Sequence, residues 1–261
     1  MLNVTISNHL DDCCSDGSST ADAATEHSHL MLYPVSTGQP RPFILILPGG
    51  GYHHHAEHEG RNIAEWVHRL GMHAGVLHYN VKSIRPEQLI QDVEDSLRLV
   101  RQQKGPCQTE PDKIGMIGFS AGGHLAAIST LHGQDKPDLL ILGYPVITME
   151  ENFAHQGSRY HLLGAVPSPE QLAAYSAEKQ VQGGTPPVFI WTTADDRSVP
   201  VENSLIFAAA LAAVQVPFEL HIFEQGRHGL GLSVENPAIA QWVLLCERWL
   251  AKHHFISLEG S

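Results

Sequence analysis

The sequence contains no continuous run of 18 apolar residues, so a membrane-spanning helix is not expected. Basic residues are also scarce: Lys and Arg total 16 against 28 Asp and Glu, which gives a formal net charge of −12 at pH 7. A chain this acidic is poorly suited to bind nucleic acid or an anionic membrane surface. We therefore expect neither nucleic acid nor membrane among its main partners.

Cysteines are few, and their spacing lacks the C-x-x-C pairs and the disulfide framework of small secreted domains. The four are Cys13, Cys14, Cys107 and Cys246. The N-terminal residues Met1–Ile6 lack the basic region and apolar core of a secretory signal. Both observations predict a protein of the reducing cytoplasm.

Histidine is unusually common, with 18 residues, and the segment 53–58 alone contains four of them. The sequence has no H-E-x-x-H motif and no Cys/His spacing typical of a zinc site. Adjacent side chains in an extended loop also point in different directions. We therefore expect imidazoles that lie on the surface or line a pocket, with no metal and no cofactor.

Strand-like and helix-like patterns alternate along most of the chain. Phe43–Leu47, Ile114–Phe119 and Val188–Thr192 are continuous apolar runs rich in β-formers, as in buried strands. One-sided apolar patterns of helical period separate such runs, for example over Ala64–Leu70, where Gly71 ends the predicted helix. Repeated β–α units predict a single α/β domain over residues 1–261. Its mostly parallel sheet of about eight strands should be flanked by helices on both faces, with a site at the carboxyl ends of the strands.

Two segments interrupt this alternation. Residues 10–28 are small, polar and without period, which predicts a flexible loop. Residues 145–187 contain several turn-forming residues and one short helical pattern over Glu170–Ala177. Long insertions in compact domains often carry function. We expect residues 145–187 to form a small cap-like insert at a substrate pocket.

The segment Gly118–His124 reads GFSAGGH, a G-x-S-x-G turn directly after an apolar strand. Glycines at positions 118 and 122 allow a sharp strand-to-helix turn that exposes the hydroxyl of Ser120. The same turn places Ser120 at a helix N-terminus, where free N–H groups can stabilise a developing anion. The motif is common by itself, and its surroundings decide its meaning.

A serine nucleophile needs a base and an acid that orients the base. Asp195 and Asp196 follow the strand Val188–Thr192, and His228 follows the next strand. The order Ser, Asp, His, each after a later strand, is typical of one serine-hydrolase arrangement. We assign His228 as the base and Asp196 as the orienting acid, with Asp195 as its rival.

A glycine run follows the strand Phe43–Leu47, where residues 48–52 read PGGGY. Glycines allow the backbone to approach a carbonyl group and to direct N–H groups at it. We predict an oxyanion hole formed by the N–H of Ala121 with that of Gly50 or Gly51.

Further side chains close to these motifs are candidates for the substrate pocket. They are Tyr52, His54, His124 and Tyr144, with Tyr160 and His161 from the insert. His124 can equally be a structural residue of the first helical turn. The insert is polar and has no long aliphatic run, unlike a lipid-binding lid, which favours short acyl groups.

Five segments resemble the α/β-hydrolase superfamily, and within it the small bacterial esterase/lipase group that includes acetyl esterases and acetylxylan-esterase-like proteins. They read PGGGYHHHAEHEGRNIAEW, EPDKIGMIGFSAGGHLAA, LGYPVITM, ADDRSVPVENS and FEQGRHGLGL. The resemblance implies the α/β-hydrolase fold and a serine carboxylesterase that hydrolyses short-chain esters, such as those of acetylated sugars. In this group Asp-x-x-Val-Pro carries the triad acid, which favours Asp196 over Asp195. One departure is Pro48, since hormone-sensitive-lipase-like relatives begin the glycine run with histidine.

Other functions are possible on the same fold. A serine peptidase or amidase would use the same triad, but the sequence contains no propeller-like repeats that could grip a peptide. A lipase-type esterase would prefer longer acyl chains. A dienelactone-type hydrolase generally uses cysteine, whereas position 120 is serine. The sequence has no coiled-coil pattern and predicts no oligomeric state.

Overall fold

A computed structural model describes residues 2–6, 27–36, 38–102 and 107–257. Within these ranges the chain forms eight strands and seven α-helices, and all eight strands belong to one sheet. Most of the predicted loop 10–28 lies outside the described residues, as do Cys13 and Cys14. No helix in the described ranges is both long and apolar enough to cross a membrane.

The strands form a sheet in the order β1-β2-β4-β3-β5-β6-β7-β8. In chain order they are β1 (Leu2–Thr5), β2 (His29–Tyr33), β3 (Arg41–Leu47), β4 (His73–His78), β5 (Thr109–Phe119), β6 (Leu139–Gly143), β7 (Val188–Thr193) and β8 (Phe218–Phe223). The pairings β1/β2 and β2/β4 are antiparallel, and all others are parallel. The predicted fold class, a mostly parallel sheet of about eight strands, is confirmed.

Helices connect the parallel strands. They are α1 (Glu57–Arg69), α2 (Pro86–Arg101), α3 (Ser120–His132), α4 (Gln156–Leu163), α5 (Pro169–Ala174), α6 (Glu202–Ala213) and α7 (Pro237–Lys252), with a 3₁₀ turn at Ala177–Lys179. Proline begins α2, α5 and α7, where its missing N–H costs no intrahelical hydrogen bond.

Apolar side chains of β3 alternate between two layers of the core. Phe43, Leu45 and Leu47 pack in one cluster with α2, α3 and α6. Ile44 and Ile46 belong to a second cluster with α1 and α7. Because both faces of the strand are buried, its sequence is continuously apolar instead of alternating.

Two helices differ from the sequence prediction: α1 begins earlier than expected, and α4 was not expected. Helix α1 begins at Glu57, whereas the pattern indicated a helix only from Ala64. The acidic side chains of Glu57 and Glu59 suit its first turn, where they face the positive end of the helix dipole. The insert contains α4 in addition to the expected helical patch, and the side chain of His155 caps α4 by accepting the N–H of Ser158.

The turn between β5 and α3 depends on glycine for close backbone contact. A Cβ at Gly122 would overlap the carbonyl oxygens of Leu47 and Pro48, and one at Gly118 would overlap the carbonyl of Gly122. Helix α3 therefore lies directly against the end of β3. This contact brings Ser120 next to the glycine run that follows β3.

We expect Gly122→Ala to destabilise the protein by about 3 kcal/mol or more, because its methyl group would overlap backbone atoms that have no rotamer freedom. This change corresponds to a loss in Tm of roughly 6–12 °C in a thermal unfolding scan. Gly183→Ala is the matched control, since a Cβ there meets no heavy atom within 4 Å. An equal Tm for the two variants would contradict the close contact.

Candidate active site

The carboxyl ends of β3, β5, β7 and β8 lie along the same edge of the sheet, because these strands run parallel. The loops after them carry the glycine run, Ser120, Asp196 and His228. Ser120 and His228, which are 108 positions apart in sequence, therefore meet in one place. The parallel topology is what assembles them.

Ser120 is the first residue of α3 and has a backbone φ of +53°. This left-handed conformation is uncommon for a residue with a side chain, and strained residues of this kind concentrate at functional sites. The serine carbonyl accepts the N–H of Val146 at 3.0 Å, which anchors the turn. Its Oγ lies 2.7 Å from Nε2 of His228.

The imidazole of His228 connects the serine to a buried carboxylate. Its Nδ1 lies 2.6 Å from Oδ2 of Asp196. The other oxygen of Asp196 accepts the N–H groups of Ser198 at 2.8 Å and Val199 at 3.0 Å. Burial alone would raise the pKa of Asp196, but its hydrogen bond to His228, the charge of His228 and these two N–H donors hold the pKa below its ordinary value. The carboxylate therefore stays ionised and fixes the orientation of the ring.

Asp195 has a different position from its neighbour. Its side chain is exposed, and Oδ1 accepts the N–H of Gly226 at 2.6 Å. Asp195 therefore braces the loop that carries His228 without contacting the imidazole. The structure brings Asp196, and not Asp195, to the serine–histidine pair.

The glycine run after β3 is held by its carbonyl groups. The carbonyl of Gly49 accepts the N–H of Ala56 at 3.0 Å, and that of Gly50 accepts the N–H of His53 at 3.0 Å. In a trans peptide the N–H points opposite to the carbonyl, so these contacts also set the directions of the N–H groups of Gly50 and Gly51. Within the described chain, neither of those N–H groups donates a hydrogen bond.

Ala121 contributes a third free N–H group. It is the second residue of α3, and the first N–H groups of a helix have no intrahelical acceptor. Gly50, Gly51 and Ser120 line the same cavity, and Ala121 follows Ser120 directly. The arrangement can therefore present N–H donors to an oxygen anion next to the serine hydroxyl.

A cavity of about 400 Å³ opens above Ser120. Imidazoles and glycines form most of its wall, and the lining residues include His53, His54, His58, His155, Gly157, His161, Ser198, His228 and Gly229. Of the six side chains predicted for the pocket, the structure places His54 and His161 in this wall. His58 belongs to the histidine-rich segment 53–58, whose imidazoles were expected on the surface or along a pocket, whereas His155 was not identified because it belongs to no recognisable motif.

Three of the other predicted pocket residues, Tyr52, His124 and Tyr144, lie in the core and do not line the cavity. Tyr52 is completely buried, and its hydroxyl lies 2.7 Å from Nδ1 of His124. Nε2 of His124 donates to the carbonyl of Tyr175 at 2.7 Å, so Nδ1 is the acceptor for the tyrosine. Burial lowers the pKa of His124 to about 4, which keeps the ring neutral. The structural interpretation of His124 is therefore the correct one, and the expectation of Tyr52 in the pocket is wrong.

Tyr144 was also expected in the pocket and is buried instead, with 2% exposure. Its ring packs edge-on against His228 at a centroid distance of 4.9 Å. Its hydroxyl donates to Oε1 of Glu59 at 2.6 Å and accepts the N–H of Gly231 at 2.8 Å. Tyr144 therefore contacts His228 from the core side and is not itself part of the cavity wall. The sequence reasoning missed Glu59, since a lone acidic residue in a first helical turn carries no motif.

The insert contributes to the cavity through α4. Nδ1 of His161 donates to the carbonyl of Gly51 at 3.0 Å, which attaches the insert to the glycine run. Burial, followed by the charge of His228, lowers the pKa of His155. Tyr160, also considered for the pocket, is 60% exposed and is not part of the wall.

The histidines of the cavity do not form a metal site. Within the described ranges, no group of three or more His, Cys, Asp or Glu side chains is arranged to hold a metal ion. The geometry instead matches a serine nucleophile with a histidine base, an orienting carboxylate and adjacent N–H donors.

Solved structures of similar proteins share this architecture. A crystal structure described as an acetyl ester-xyloside bifunctional hydrolase, from Caldicellulosiruptor lactoaceticus, is 38% identical in sequence with a TM-score of 0.86. The alignment covers 98% of this chain and 97% of that one. A carboxylesterase from Lactobacillus plantarum is 26% identical with a TM-score of 0.77, covering 89% of this chain and 94% of that one.

Two curated proteins are also similar to this chain in sequence. An acetylxylan esterase of Xylanibacter ruminicola is 34% identical over 195 residues, covering 72% of this chain and 41% of the relative. Endo-1,4-beta-xylanase B of Butyrivibrio fibrisolvens is 36% identical over 219 residues, covering 77% of this chain and 34% of the relative. The chain thus spans between a third and a half of the length of these curated relatives.

A family model described as the prolyl oligopeptidase family matches residues 78–254, which is more than half of the chain. The matched region contains Ser120, Asp196 and His228 but not the glycine run. The resemblance to the α/β-hydrolase superfamily and to its small esterases is confirmed. The chain belongs to the prolyl oligopeptidase family and has the α/β-hydrolase fold.

Proposed function

We propose that the protein is a serine carboxylesterase that hydrolyses short-chain, acetyl-type esters, with an acetylated sugar as its preferred substrate. The observation that carries the proposal is the hydrogen-bonded series from Ser120 through His228 to Asp196, beside the free N–H groups of Gly50 and Gly51. This arrangement meets the requirements of two-step acyl transfer.

In the first step the hydroxyl of Ser120 transfers its proton to Nε2 of His228 as Oγ attacks the ester carbonyl. The carbonyl oxygen becomes an anion, which the N–H groups of Gly50, Gly51 and Ala121 stabilise. The C–O bond to the alcohol then breaks, and the alcohol leaves with the proton from His228. Water attacks the acyl-serine in the same way, which releases the carboxylic acid and restores the serine.

The composition of the cavity wall supports a short acyl group and a polar alcohol. The described lining residues include no large aliphatic side chain, so a long acyl chain would find little apolar surface. An imidazole can donate and accept hydrogen bonds, which suits the hydroxyl groups of a sugar. The names of two relatives, an acetylxylan esterase and an acetyl ester-xyloside hydrolase, agree with this substrate class.

We do not extend the proposal to glycoside hydrolysis, although two relatives are named for it. Glycosidases typically use two carboxyl groups on either side of the scissile bond. Glu59 is the one carboxylate among the described lining residues, and both of its oxygens already accept hydrogen bonds from the protein. The cavity therefore offers no carboxylate pair to a glycosidic bond.

A serine peptidase is the second candidate, favoured by the family to which the chain belongs. The same triad can attack an amide. We rank this candidate lower because the histidine-rich cavity beside Ser120 suits a polar alcohol more than a peptide.

We also propose that the protein works in the reducing cytoplasm. Cys107 and Cys246 are both buried as free thiols, and burial raises the pKa of each. A high thiol pKa disfavours the thiolate, so neither side chain is prepared for disulfide exchange.

A series of 4-nitrophenyl esters from acetate to decanoate should distinguish the candidates. We expect kcat/KM to be highest for acetate and to fall steeply as the acyl chain lengthens, because the cavity wall lacks aliphatic side chains. Acetylated xylo-oligosaccharides should release acetate, measured by an enzymatic acetate assay. A preference for long acyl chains would contradict the proposal, and cleavage of an aminoacyl anilide without ester hydrolysis would favour the peptidase.

Variants of the two neighbouring aspartates should separate their roles. Asp196→Asn should lower kcat for nitrophenyl acetate by about 10⁴-fold, because an amide cannot stabilise the correct tautomer and charge of the histidine. Asp195→Asn is the matched control, since its amide oxygen can still accept the N–H of Gly226. Ser120→Ala should abolish turnover with an unchanged circular dichroism spectrum. Similar activity losses for both aspartate variants would contradict the assignment of Asp196.

A further inference from the structure

Glu59 is a buried carboxylate at the edge of the active site, with 2% exposure, and it has no part in the proposed proton transfers. It lies in the first turn of α1, and both of its oxygens are occupied. Oε2 accepts the N–H of Gly49 at 2.8 Å, and Oε1 accepts the hydroxyl of Tyr144 at 2.6 Å. A carboxylate removed from water is costly unless such hydrogen bonds compensate it, so the placement calls for a function.

One side of Glu59 controls the start of the glycine run. A Cβ at Gly49 would lie 2.6 Å from Oε2 of Glu59 and 2.9 Å from Cβ of Ser120, so the backbone of Gly49 fills the space between them. The N–H of Gly49 is held by Glu59, and its carbonyl is held by Ala56. The two peptide groups that flank the Cα atom of Gly49 are therefore each held by one hydrogen bond.

The other side of Glu59 reaches the loop of the catalytic base. Burial, and then the charge of Glu59, raise the pKa of Tyr144, so its hydroxyl remains protonated and donates to the carboxylate. The same hydroxyl accepts the N–H of Gly231, three residues beyond His228. The carbonyl of Gly231 in turn accepts Nε1 of Trp242 at 3.1 Å. Tyr144 thus contacts both the ring of His228 and the loop that carries it.

We propose that Glu59 is a positioning residue that couples the oxyanion loop to the loop of His228 through Tyr144. This inference rests on the proposed acyl-transfer function. The carboxylate sets the placement of the N–H donors relative to the base, and its hydrogen bonds go to Gly49 and Tyr144 and to no member of the triad. The coupling makes the two halves of the site, which lie on loops after β3 and β8, move as one unit.

Glutamate suits this role better than its amide. A carboxylate is an acceptor at both oxygens, which matches the two donors, the N–H of Gly49 and the hydroxyl of Tyr144. In Glu59→Gln the side-chain NH₂ must face one of these donors. If the NH₂ faces Tyr144, the tyrosine hydroxyl proton loses its acceptor, because an NH₂ group is a donor. The proton cannot turn to the opposite side instead, since the N–H of Gly231 points at the hydroxyl oxygen from there. The substitution therefore keeps the shape of the side chain and breaks one link.

The experiment compares Glu59→Gln, Tyr144→Phe and the double variant in the full chain. We expect each single variant to lower kcat for nitrophenyl acetate by roughly 10–100-fold with KM changed less than about threefold, because small displacements of catalytic groups cost rate more than binding. The affinity for a boronic acid that forms a tetrahedral serine adduct should fall in parallel with kcat. The kcat of the double variant should be little lower than that of either single variant, since both changes break the same link between Gly49 and Tyr144.

Glu57→Gln is the matched control, because Glu57 is an exposed acidic residue in the same helical turn. It should retain the kcat of the unmodified protein. A merely structural role for Glu59 would lower the Tm and leave kcat and boronic acid affinity of the folded protein unchanged, and that result would overturn the proposal. If the decrease in kcat of the double variant equals the product of the decreases in the two single variants, the proposed link through Tyr144 is wrong.

The rate at which a fluorophosphonate labels Ser120 separates this inference from the proposed function. Labelling needs the serine, the base and the oxyanion donors, but not the natural substrate. Labelling without hydrolysis of acetyl esters would refute the proposed substrate class, and the Glu59 variants could still be compared by their labelling rates. Rates equal to that of the unmodified protein would then refute the role of Glu59.

Discussion

The close backbone contact between α3 and the end of β3 is the constraint on which the active site depends. With no side chain at position 122, the first turn of α3 lies against the carbonyls of Leu47 and Pro48. Ser120 and the glycine run consequently share one small volume, although they follow different strands. The free N–H groups at the start of α3 and those of Gly50 and Gly51 then face the same cavity. A bulkier residue at the contact would separate the proposed nucleophile from its proposed oxyanion donors.

The sequence predicted the sheet well because its central strands are buried on both faces and are therefore continuously apolar, as in β3 and in β5 from Ile114 onward. It did not predict the first turn of α1, where the apolar pattern is absent and the acidic side chains of Glu57 and Glu59 stabilise the helix end. Helix α4 was missed for a related reason: it is only eight residues long, and an unusual residue, His155, provides its cap. Short helices held by local capping and tertiary contacts carry little periodic signal.

The predicted triad residues come together because each motif follows a parallel strand, and parallel strands end at one edge. The pocket predictions failed where the backbone turns unexpectedly. Tyr52 and Tyr144 have φ values of +61° and +35°, a conformation that sequence rarely indicates for residues other than glycine. At these turns both side chains enter the core. Tyr52 and Tyr144 therefore do not face the cavity, although each is close in sequence to a motif of the site. The direction of a side chain at a strained turn follows from tertiary packing, which motifs do not encode.

The proposed oxyanion loop and the insert at the cavity are physically connected in this molecule. His161 of the insert donates to the carbonyl of Gly51, and its ring lies 5.1 Å from that of His53 in the loop beyond the glycine run. A substrate that displaces α4 would therefore pull on a peptide group next to the oxyanion donors. Glu59 holds the opposite end of the same run through Gly49. The glycine run is thus restrained from both ends, by the insert on one side and by α1 on the other. In the proposed mechanism, the fit of the alcohol portion of a substrate would therefore bear directly on stabilisation of the oxyanion.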